Sequence, residues 1–566
     1  MSTRTLWSVF TAALALACTR DAPTGDADAP PAAAPSNPPA PERPNPAAPT
    51  AEDLRAMTRA LADDAMEGRR PGTPGGARTV AYIIDRMTEL GLAPAGEDGG
   101  WMQAVPMRDV AVDAARTHIE TDHGGVRTAL EFGTDIVIST FGAAGTHPLD
   151  ADLVFVGYGI TAPQYRWDDY DGVDLDGKIA VVLVGDPPVN DGRFAGDALT
   201  YYGRWSYKFE EGLRHGATGV LIVHEAAAAS YGWNVIETGW THARTHVAAP
   251  GRPPPDALPV EGWLGTEAAA ALAARCGTSL DTWRAAALES ASAPSRGRSC
   301  GRLRGSFVTT ESRLQDVNVI GRLEGARMAE QVVAITAHWD HLGKDADAPP
   351  SVDAIFNGAI DNASGIAGML AVAATLHGRV ASGRPLGRSV LFIATTGEEE
   401  GLLGSMWFVE KPTVPLDRIA AVVNLDSMNV QGRTRTIQVI GPGHTTIEDT
   451  LAEVATAEGR RVVPDEHPAS GGYYRSDHFS FARRGVPAIY IRGGADMEAG
   501  GVTEGRRIGA GLAQRYHTVD DEFDEAWSFA GTLQDVRTVA SLVARIADDP
   551  APPQWKPTSE FADVPR

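Results

Sequence analysis

The stretch VVAITAHWDH, residues 332–341, decides the fold of this chain. Its first six residues have the length and the apolar, β-branched character of a buried strand, and this run ends at His338. Helical runs such as residues 363–376 lie between it and later strand-like runs. Those later runs occupy residues 390–394, 420–425 and 486–491. The alternation predicts an α/β fold with a mixed, mostly parallel sheet flanked by helices.

Polar residues follow these predicted strands directly. His338 ends the first run, Glu398 and Glu399 follow the second, and Asp426 follows the third. In open parallel sheets, ligands bind in the crevice outside the carboxyl ends of the strands. The sequence therefore predicts a polar site at one edge of the sheet.

The composition and net charge exclude several classes of protein. The chain has 566 residues, of which 43% are hydrophobic and 22% charged, a balance typical of globular proteins. Lys and Arg number 50 and Asp and Glu 73, so the net charge is −23. Such a charge repels nucleic acid, and we expect no nucleic-acid partner. Three cysteines are too few for a disulfide scaffold or a four-cysteine zinc site.

The N-terminus is typical of an export signal. Arg4 precedes an apolar stretch, and Ala15-Leu16-Ala17-Cys18 resembles a bacterial lipobox, in which the cysteine is lipidated. We interpret residues 1–18 as a signal peptide and residues 19–50, rich in Pro and Ala, as a disordered tether. The expected location is the periplasm or the outside of a membrane, with membrane contact only through a lipid on Cys18.

The middle of the chain differs from its flanks. Short β-like runs separated by Gly, Pro and Asp fill residues 149–305, which predicts a small β-rich inserted domain. The strings VGYGI at 156–160, WDDY at 167–170 and GKI at 177–179 resemble the protease-associated (PA) domain. The predicted catalytic domain is then discontinuous, at 51–148 and 306–550, and a C-terminal tail occupies 551–566.

Five residues in strand-end and loop contexts form a candidate metal site. Two imidazoles and three carboxylates make a mixed nitrogen and oxygen donor set that suits zinc or a similar divalent metal. Two metals about 3.5–4 Å apart need a shared carboxylate, and Asp361 is our candidate for it. The candidate ligands are His338, Asp361, Glu399, Asp426 and His517.

Five strings around these residues resemble the metal-site motifs of metallopeptidase family M28, and they occur in the family's order. This family contains dizinc aminopeptidases, glutamate carboxypeptidases, glutaminyl cyclases and non-catalytic transferrin receptors. The strings are HWDH at 338–341, GAIDNASG at 358–365, GEEEGLLGS at 397–405, NLD at 424–426 and YHT at 516–518. The resemblance implies a zinc-peptidase (phosphorylase/hydrolase-like) fold.

The resemblance also implies individual roles. His338, Asp361 and Asp426 would hold one zinc ion, and Asp361, Glu399 and His517 the other. Asp340 would hydrogen-bond the imidazole of His338. Glu398 would be the general base for a water shared by the two metals, and Tyr516 would donate a hydrogen bond to the tetrahedral intermediate. His478, in the string Ser476-Asp477-His478, would lie beside the ligands. Because a strand end offers no helical face to residues three apart, we expect His341 to have a neighbouring structural role, and we expect Glu400, the third residue of an acidic trio, to point away from the metals.

The expected function is that of an exported zinc aminopeptidase acting on peptides. Alternatives of the same fold are a carboxypeptidase or dipeptidase, a glutaminyl cyclase and a receptor-like binding protein. A carboxypeptidase needs a cationic group for the terminal carboxylate, and Arg475, Arg492, Arg506 and Arg507 are candidates. The sequence does not decide whether the metal is zinc, cobalt or manganese.

Overall fold

The computed structural model describes residues 48–566 except 190, 197, 230, 249–257, 290–296, 346–347 and 350. The predicted signal peptide and nearly all of the predicted tether lie outside these residues. The strands, in chain order, are β1 (Ala93–Pro94), β2 (Met102–Val112), β3 (His118–His123), β4 (Val126–Leu130), β5 (Ile136–Ser139), β6 (Gly145–Gly157), β7 (Thr161–Ala162), β8 (Trp167–Asp168), β9 (Ile179–Leu183), β10 (Gly219–Val223), β11 (Arg244–Val247), β12 (Val260–Leu264), β13 (Ser299–Leu323), β14 (Met328–His338), β15 (Gly343–Lys344), β16 (Ile355–Phe356), β17 (Arg388–Thr395), β18 (Ile419–Asn424), β19 (Thr436–Ile440), β20 (Arg461–Pro464) and β21 (Ala488–Gly493).

Helices cover this sheet. They are α1 (Ala51–Leu61), α2 (Pro74–Glu89), α3 (Trp205–Arg214), α4 (Ala226–Ala229), α5 (Trp233–Thr241), α6 (Thr266–Arg275), α7 (Leu280–Leu288), α8 (Gly365–Ala381), α9 (Leu403–Glu410), α10 (Ile447–Ala457), α11 (His478–Ala482), α12 (Gly501–Ala513) and α13 (Ala530–Asp548). The predicted α/β fold, its four strands and its helix over 363–376 are confirmed.

Four parallel strands form the centre of the sheet that carries the site. β14 pairs in parallel with β17 and β18, and β18 pairs in parallel with β21. The flanking strands β13 and β19 run antiparallel to β17 and β21. Every residue of β17 and β18 is buried, as expected for parallel strands covered on both faces. The carboxyl ends of β14, β17 and β18 therefore open at one edge.

The helix α8 packs in the core beside this sheet. Residues 359–381 are long and apolar enough to cross a membrane, yet most of them are buried inside the fold. Leu370 and Leu376 of α8 pack in one cluster with Val539 and Leu542 of α13. The apolar character of α8 is thus explained by burial in the protein core.

A second set of strands forms the β-rich middle of the chain. β6, β9, β10 and β12 pair in parallel, and β5 runs antiparallel to β12. Ile119 and Ile136, which precede residue 149, pack in the same cluster as Leu153 and Phe307. The 25-residue strand β13 runs from this region into the sheet that carries the site. A PA domain with limits at 149 and 305 stays a prediction.

Candidate metal centre

Each predicted ligand stands at the end of a strand or in a turn beside one. His338 is the last residue of β14, Glu399 lies four residues after β17, and Asp426 lies two residues after β18. Asp361 lies in the turn before α8, and His517 follows α12. Because the parallel strands open at one edge, these side chains converge there.

The turn that carries Asp361 depends on a glycine. Gly358 has φ of 56°, and a Cβ atom there would lie 2.2 Å from the main-chain oxygen of Asp361. It would also lie 2.5 Å from the ring of His341. Only a residue without a side chain fits this close approach, so Gly358 lets the turn fold against the site.

Asp361 lies between two imidazoles. Its Oδ1 is 3.1 Å from Nε2 of His338, and its Oδ2 is 3.4 Å from Nε2 of His517. Nε2 of His338 is also 3.7 Å from Oδ1 of Asp426, and Nε2 of His517 is 2.9 Å from Oε2 of Glu399. The structure thus brings all five predicted ligands together, with Asp361 at the centre.

The donor atoms fit a bound cation. Nε2 of His338, Oδ1 of Asp361 and Nε2 of His517 are buried without a hydrogen-bond partner in the described chain. Ligand atoms of His338, Asp361 and Asp426 all lie within 4.8 Å of one another. Buried polar atoms normally have partners, so three orphaned donor atoms facing one another fit a metal centre.

Electrostatics within the cluster agree with this fit. Burial opposes a charge on His338, but the negative charges of Glu398, Asp361 and Asp426 outweigh it and hold the pKa of His338 well above its ordinary value. Burial also opposes ionisation of Asp361, but the neighbouring imidazoles of His338 and His517 hold its pKa well below the usual range. The negative charges of these carboxylates therefore favour a positive charge at this position.

Glu398 lies beside the ligands. Its Oε2 is 4.0 Å from Nε2 of His338, and its side chain is buried. Burial, followed by the charges of Glu399 and Asp426, raises the pKa of Glu398 well above the ordinary value against the opposing effect of His338. A carboxyl group with a raised pKa is suited to accept and return a proton.

Asp340 fixes the loop that carries Glu398 and Glu399. Its Oδ1 accepts a hydrogen bond from the main-chain N–H of Glu398 at 3.1 Å, and Oδ2 accepts one from Glu399 at 3.4 Å. Nδ1 of His338 lies 3.2 Å from the main-chain oxygen of Asp340 and 3.8 Å from its carboxylate. Asp340 therefore orients His338 mainly through its backbone, and it orients Glu398 and Glu399 through its side chain.

The structure gives Tyr516 and His478 different surroundings. Tyr516 is 60% exposed, and its ring stacks on His517 with centroids 3.8 Å apart. His478 is buried against the rings of Tyr473 and Tyr490, and burial lowers its pKa to about 3. The hydroxyl of Tyr490 donates to the main-chain oxygen of Asp426 at 3.1 Å, so Tyr490 links His478 to the ligand loop.

Sequence reasoning missed two contributors to the site, Asp521 and Arg69, and gave His341 only a neighbouring structural role. His341 lies with Asp361 and Glu399 in one group of ligand atoms within 4.8 Å. Asp521 accepts hydrogen bonds from the main-chain N–H groups of Ile360 and Asp361 at 3.0 and 3.1 Å. The buried Arg69 donates to the main-chain oxygens of Trp339 and Gly358, both at 2.9 Å. Only His341 carried a sequence signal, since it stands in the HWDH string.

Glu400 points toward a different partner from Glu399. Its Oε1 lies 3.4 Å from Nη2 of Arg70, and Thr245 of β11 contacts its side chain. Burial raises the pKa of Glu400, and Arg70 opposes that rise. Glu400 thus joins the loop after β17 to β11.

Imidazoles and carboxylates with orphaned buried donor atoms, at the carboxyl edge of a parallel sheet, define a metal-dependent enzyme. Residues 318–542 match the model of the family described as Peptidase family M28. This region of the chain is a domain of that metallopeptidase family.

Solved structures of similar architecture include three bacterial proteins. An aminopeptidase from Aneurinibacillus sp. strain AM-1 is 18% identical, with a TM-score of 0.47 over 91% of this chain and 97% of that one. BSAP, a zinc aminopeptidase from Bacillus subtilis, is 18% identical, with a TM-score of 0.43 over 92% and 99%. A peptidase M28 precursor from Shewanella amazonensis SB2B is 16% identical, with a TM-score of 0.42 over 90% and 96%.

Proposed function

We propose that this protein is a zinc-dependent aminopeptidase that removes N-terminal residues from peptides. The observation that carries the proposal is the position of Asp361, whose two carboxylate oxygens face His338 and His517 respectively. One carboxylate shared by two donor groups is the arrangement that a two-metal hydrolytic centre requires.

Two ligand groups would hold the metal ions. His338, Asp361 and Asp426 would hold one zinc, and Asp361, Glu399 and His517 the other. The zinc ions, when bound, would lower the pKa of water and polarise the scissile carbonyl group. Imidazole and carboxylate ligands without thiolate suit this metal.

Glu398 would move the proton. The attacking water adds its oxygen to the carbonyl carbon, Glu398 accepts the proton, and it then passes that proton to the leaving amine as the C–N bond breaks. The buried carboxyl of Glu398 beside His338 supports this role. Tyr516, exposed beside His517, could donate its hydroxyl proton to the oxyanion.

The free α-amine of the substrate is the group that suits the site best. The centre carries a cluster of buried carboxylates, which attract a cationic amine. A carboxypeptidase is the second candidate because Nη2 of Arg492 lies 4.0 Å from Oδ1 of Asp426 and its side chain is 40% exposed. Arg492 could therefore meet a substrate carboxylate at the edge of the centre.

Metal content and a substrate panel test the proposal together. The panel is an aminoacyl amide with a free amine, its N-acetylated form, a peptide with C-terminal glutamate and a glutaminyl peptide, each with and without chelator. We expect two equivalents of zinc and chelator-sensitive cleavage confined to substrates with a free amine. Cleavage of the N-acetylated or C-terminal substrate would replace the aminopeptidase by a carboxypeptidase, and cyclisation without hydrolysis would indicate a glutaminyl cyclase. A folded protein with neither metal nor turnover would be a binding protein.

We also propose export and lipidation at Cys18, on the basis of the signal-like segment 1–18. Fractionation of a bacterial host and labelling with a fatty acid test this. Wild-type chain should partition with membranes and carry label, whereas Cys18→Ala should carry none. Label on the variant, or cytoplasmic wild-type protein, would contradict the proposal.

A further inference from the structure

The C-terminal tail, residues 551–566, is anchored to the body of the protein. Nε1 of Trp555 donates to the main-chain oxygen of Gly485 at 2.9 Å, and Nε of Arg566 donates to the same oxygen at 3.0 Å. Gly485 lies between α11 and β21. Between these two contacts the side chain of Phe561 is only 3% exposed. The tail is therefore held at both ends and packs into the fold between them.

Glu560 of this tail accepts hydrogen bonds from two separate parts of the chain. Its Oε1 accepts one from the hydroxyl of Tyr474 at 2.6 Å, and its Oε2 accepts one from the main-chain N–H of Tyr201 at 3.4 Å. Tyr201 lies between β9 and β10, and Tyr474 lies between β20 and α11. Burial raises the pKa of Glu560 to about 7, and the two hydrogen bonds oppose that rise. One carboxyl group thus joins the tail to both parts.

Aromatic packing holds the same three parts together. The ring of Phe561 lies 6.0 Å from that of Tyr473 and 6.2 Å from that of Phe479, measured between centroids. The ring of Tyr201 lies 5.2 Å from that of Phe479. These rings belong to one apolar cluster, so the backbone that carries Glu560 has a fixed position against its two partners.

Residues 474–477 lie against the ends of two central strands of the sheet. Ser476 accepts a hydrogen bond at 2.7 Å from Nδ2 of Asn424, the last residue of β18. Asp477 accepts one from Thr395, the last residue of β17. The loops that carry the acidic ligands and the proposed base begin at these two strand ends. The segment that Glu560 holds therefore supports both loops.

A second series of contacts leads from the tail to a ligand itself. Tyr473, which packs against Phe561, has its ring 4.6 Å from the ring of His478, and His478 lies 5.2 Å from the ring of Tyr490. The hydroxyl of Tyr490 donates to the main-chain oxygen of Asp426 at 3.1 Å. The tail is thus connected to the metal centre both through hydrogen bonds and through packed rings.

We propose that Glu560 is a positioning residue for the metal centre, which accepts the hydroxyl of Tyr474 and thereby fixes residues 474–477 against the ends of β17 and β18. The inference rests on the proposed hydrolytic function and adds to it a residue that contacts neither the metal ligands nor the base. A displacement of about 1 Å at a reacting group can lower a rate about a hundredfold, so a distant hydrogen bond can matter to turnover.

A double-mutant cycle on Glu560 and Tyr474 tests the proposal. Glu560→Ala and Tyr474→Phe each remove one partner of the same hydrogen bond. At saturating zinc we expect each variant to lower kcat for an aminoacyl amide about tenfold to a hundredfold, with KM changed less than about threefold. The double variant should be no worse than Glu560→Ala, because the two residues act through one contact. Losses that multiply in the double variant, or a loss confined to KM, would overturn the inference.

A conservative variant and a matched control complete the series. Glu560→Gln keeps an oxygen that can accept the hydroxyl of Tyr474, so it should recover most of kcat. Asp563 is exposed in the same tail, three residues from Glu560, and Asp563→Asn should behave like wild type. The melting temperature of every variant is recorded. If Glu560→Ala is unstable, Tyr474→Phe and Glu560→Gln carry the conclusion because they preserve side-chain volume. Equal losses in these two variants would contradict the proposal.

Zinc affinity distinguishes failure of this inference from failure of the proposed function. Competition with a chelator of known affinity needs no substrate, and Glu560→Ala and Tyr474→Phe should bind zinc about tenfold to a hundredfold more weakly than wild type. Asp563→Asn should bind it normally. Weakened binding in a protein without peptidase activity would retain the positioning role and remove the proposed function. An active peptidase in which both variants keep normal kcat and normal zinc affinity would do the reverse.

Discussion

Nδ1 of His341 lies 2.6 Å from Oε1 of Glu399. The other oxygen of Glu399 lies 2.9 Å from Nε2 of His517, so this carboxylate is held between two imidazoles. His341 is buried, and it fixes the orientation in which Glu399 meets His517. Loss of a residue that orients a ligand typically lowers metal affinity about tenfold to a hundredfold.

His341→Phe should therefore weaken metal binding. The ring volume is retained, but Glu399 loses its fixed partner, and we expect affinity for one metal equivalent to fall about tenfold to a hundredfold. Competition with a chelator of known affinity, followed by metal analysis, measures this. The exposed His118 is a matched control, and His118→Phe should bind metal normally. Unchanged affinity in His341→Phe would show that His341 only fills space.

Asp361→Asn should lose both equivalents of bound metal. The substitution preserves shape but removes the charge that faces His338 and His517, and among the described residues Asp361 is the carboxylate that contacts both imidazoles. Metal analysis after dialysis measures the result, with the exposed Asp353→Asn as control. Retention of two equivalents by Asp361→Asn would disprove the shared-ligand assignment.

Glu398→Gln should separate metal binding from turnover. Its carboxyl lies 4.0 Å from His338, and loss of a general base lowers rates by about a hundredfold to ten-thousandfold. We expect kcat to fall by that factor while two metal equivalents remain. The exposed Glu410→Gln, in α9, should behave like wild type. A near-normal rate in Glu398→Gln would assign the base to another residue.

The sequence predicted the parts of the site that are local in the chain. His338 and Asp426 stand at or just after apolar runs, so strand prediction alone placed them at one edge of the sheet. The direction of a side chain after a strand is not a local property, and the contact of His341 with Glu399 was missed for this reason. Arg69 acts on main-chain oxygens 270 and more residues away, which no spacing in the sequence indicates.

Arg69→Gln should destabilise the fold around the centre. The buried guanidinium binds the main-chain oxygens of Leu61, Trp339 and Gly358, each at 2.9 Å, and these would lose their donors. Each buried oxygen left without a donor costs about 1–3 kcal/mol. Denaturant unfolding measures the loss, and Arg69→Lys should recover only part of it because an ammonium group cannot span the oxygens.

The neighbouring Arg70 provides the control for this comparison. It is 44% exposed and contacts Glu400 at 3.4 Å, so Arg70→Gln should change the free energy of unfolding little. Equal effects of the two substitutions would mean that Arg69 contributes no more than a surface charge. A stable Arg69→Gln protein with normal metal content would remove Arg69 from the support of the Asp361 turn.

Glu261 should make stability depend on pH. Burial raises its pKa to about 8, although Arg244, whose Nη1 lies 3.8 Å away, opposes the shift. A carboxyl group whose pKa is higher in the folded state binds its proton more tightly there. Its stabilising effect is therefore complete below the ordinary pKa near 4.5 and is lost as pH rises toward 8.

Glu261→Gln keeps the neutral form of this side chain at every pH. The melting temperature of wild type relative to this variant should therefore fall between pH 5 and pH 9 by about 2–8 °C, whereas the exposed Glu267→Gln should parallel wild type throughout. A constant difference between wild type and Glu261→Gln across this range would mean that Glu261 is ionised in the fold and paired with Arg244.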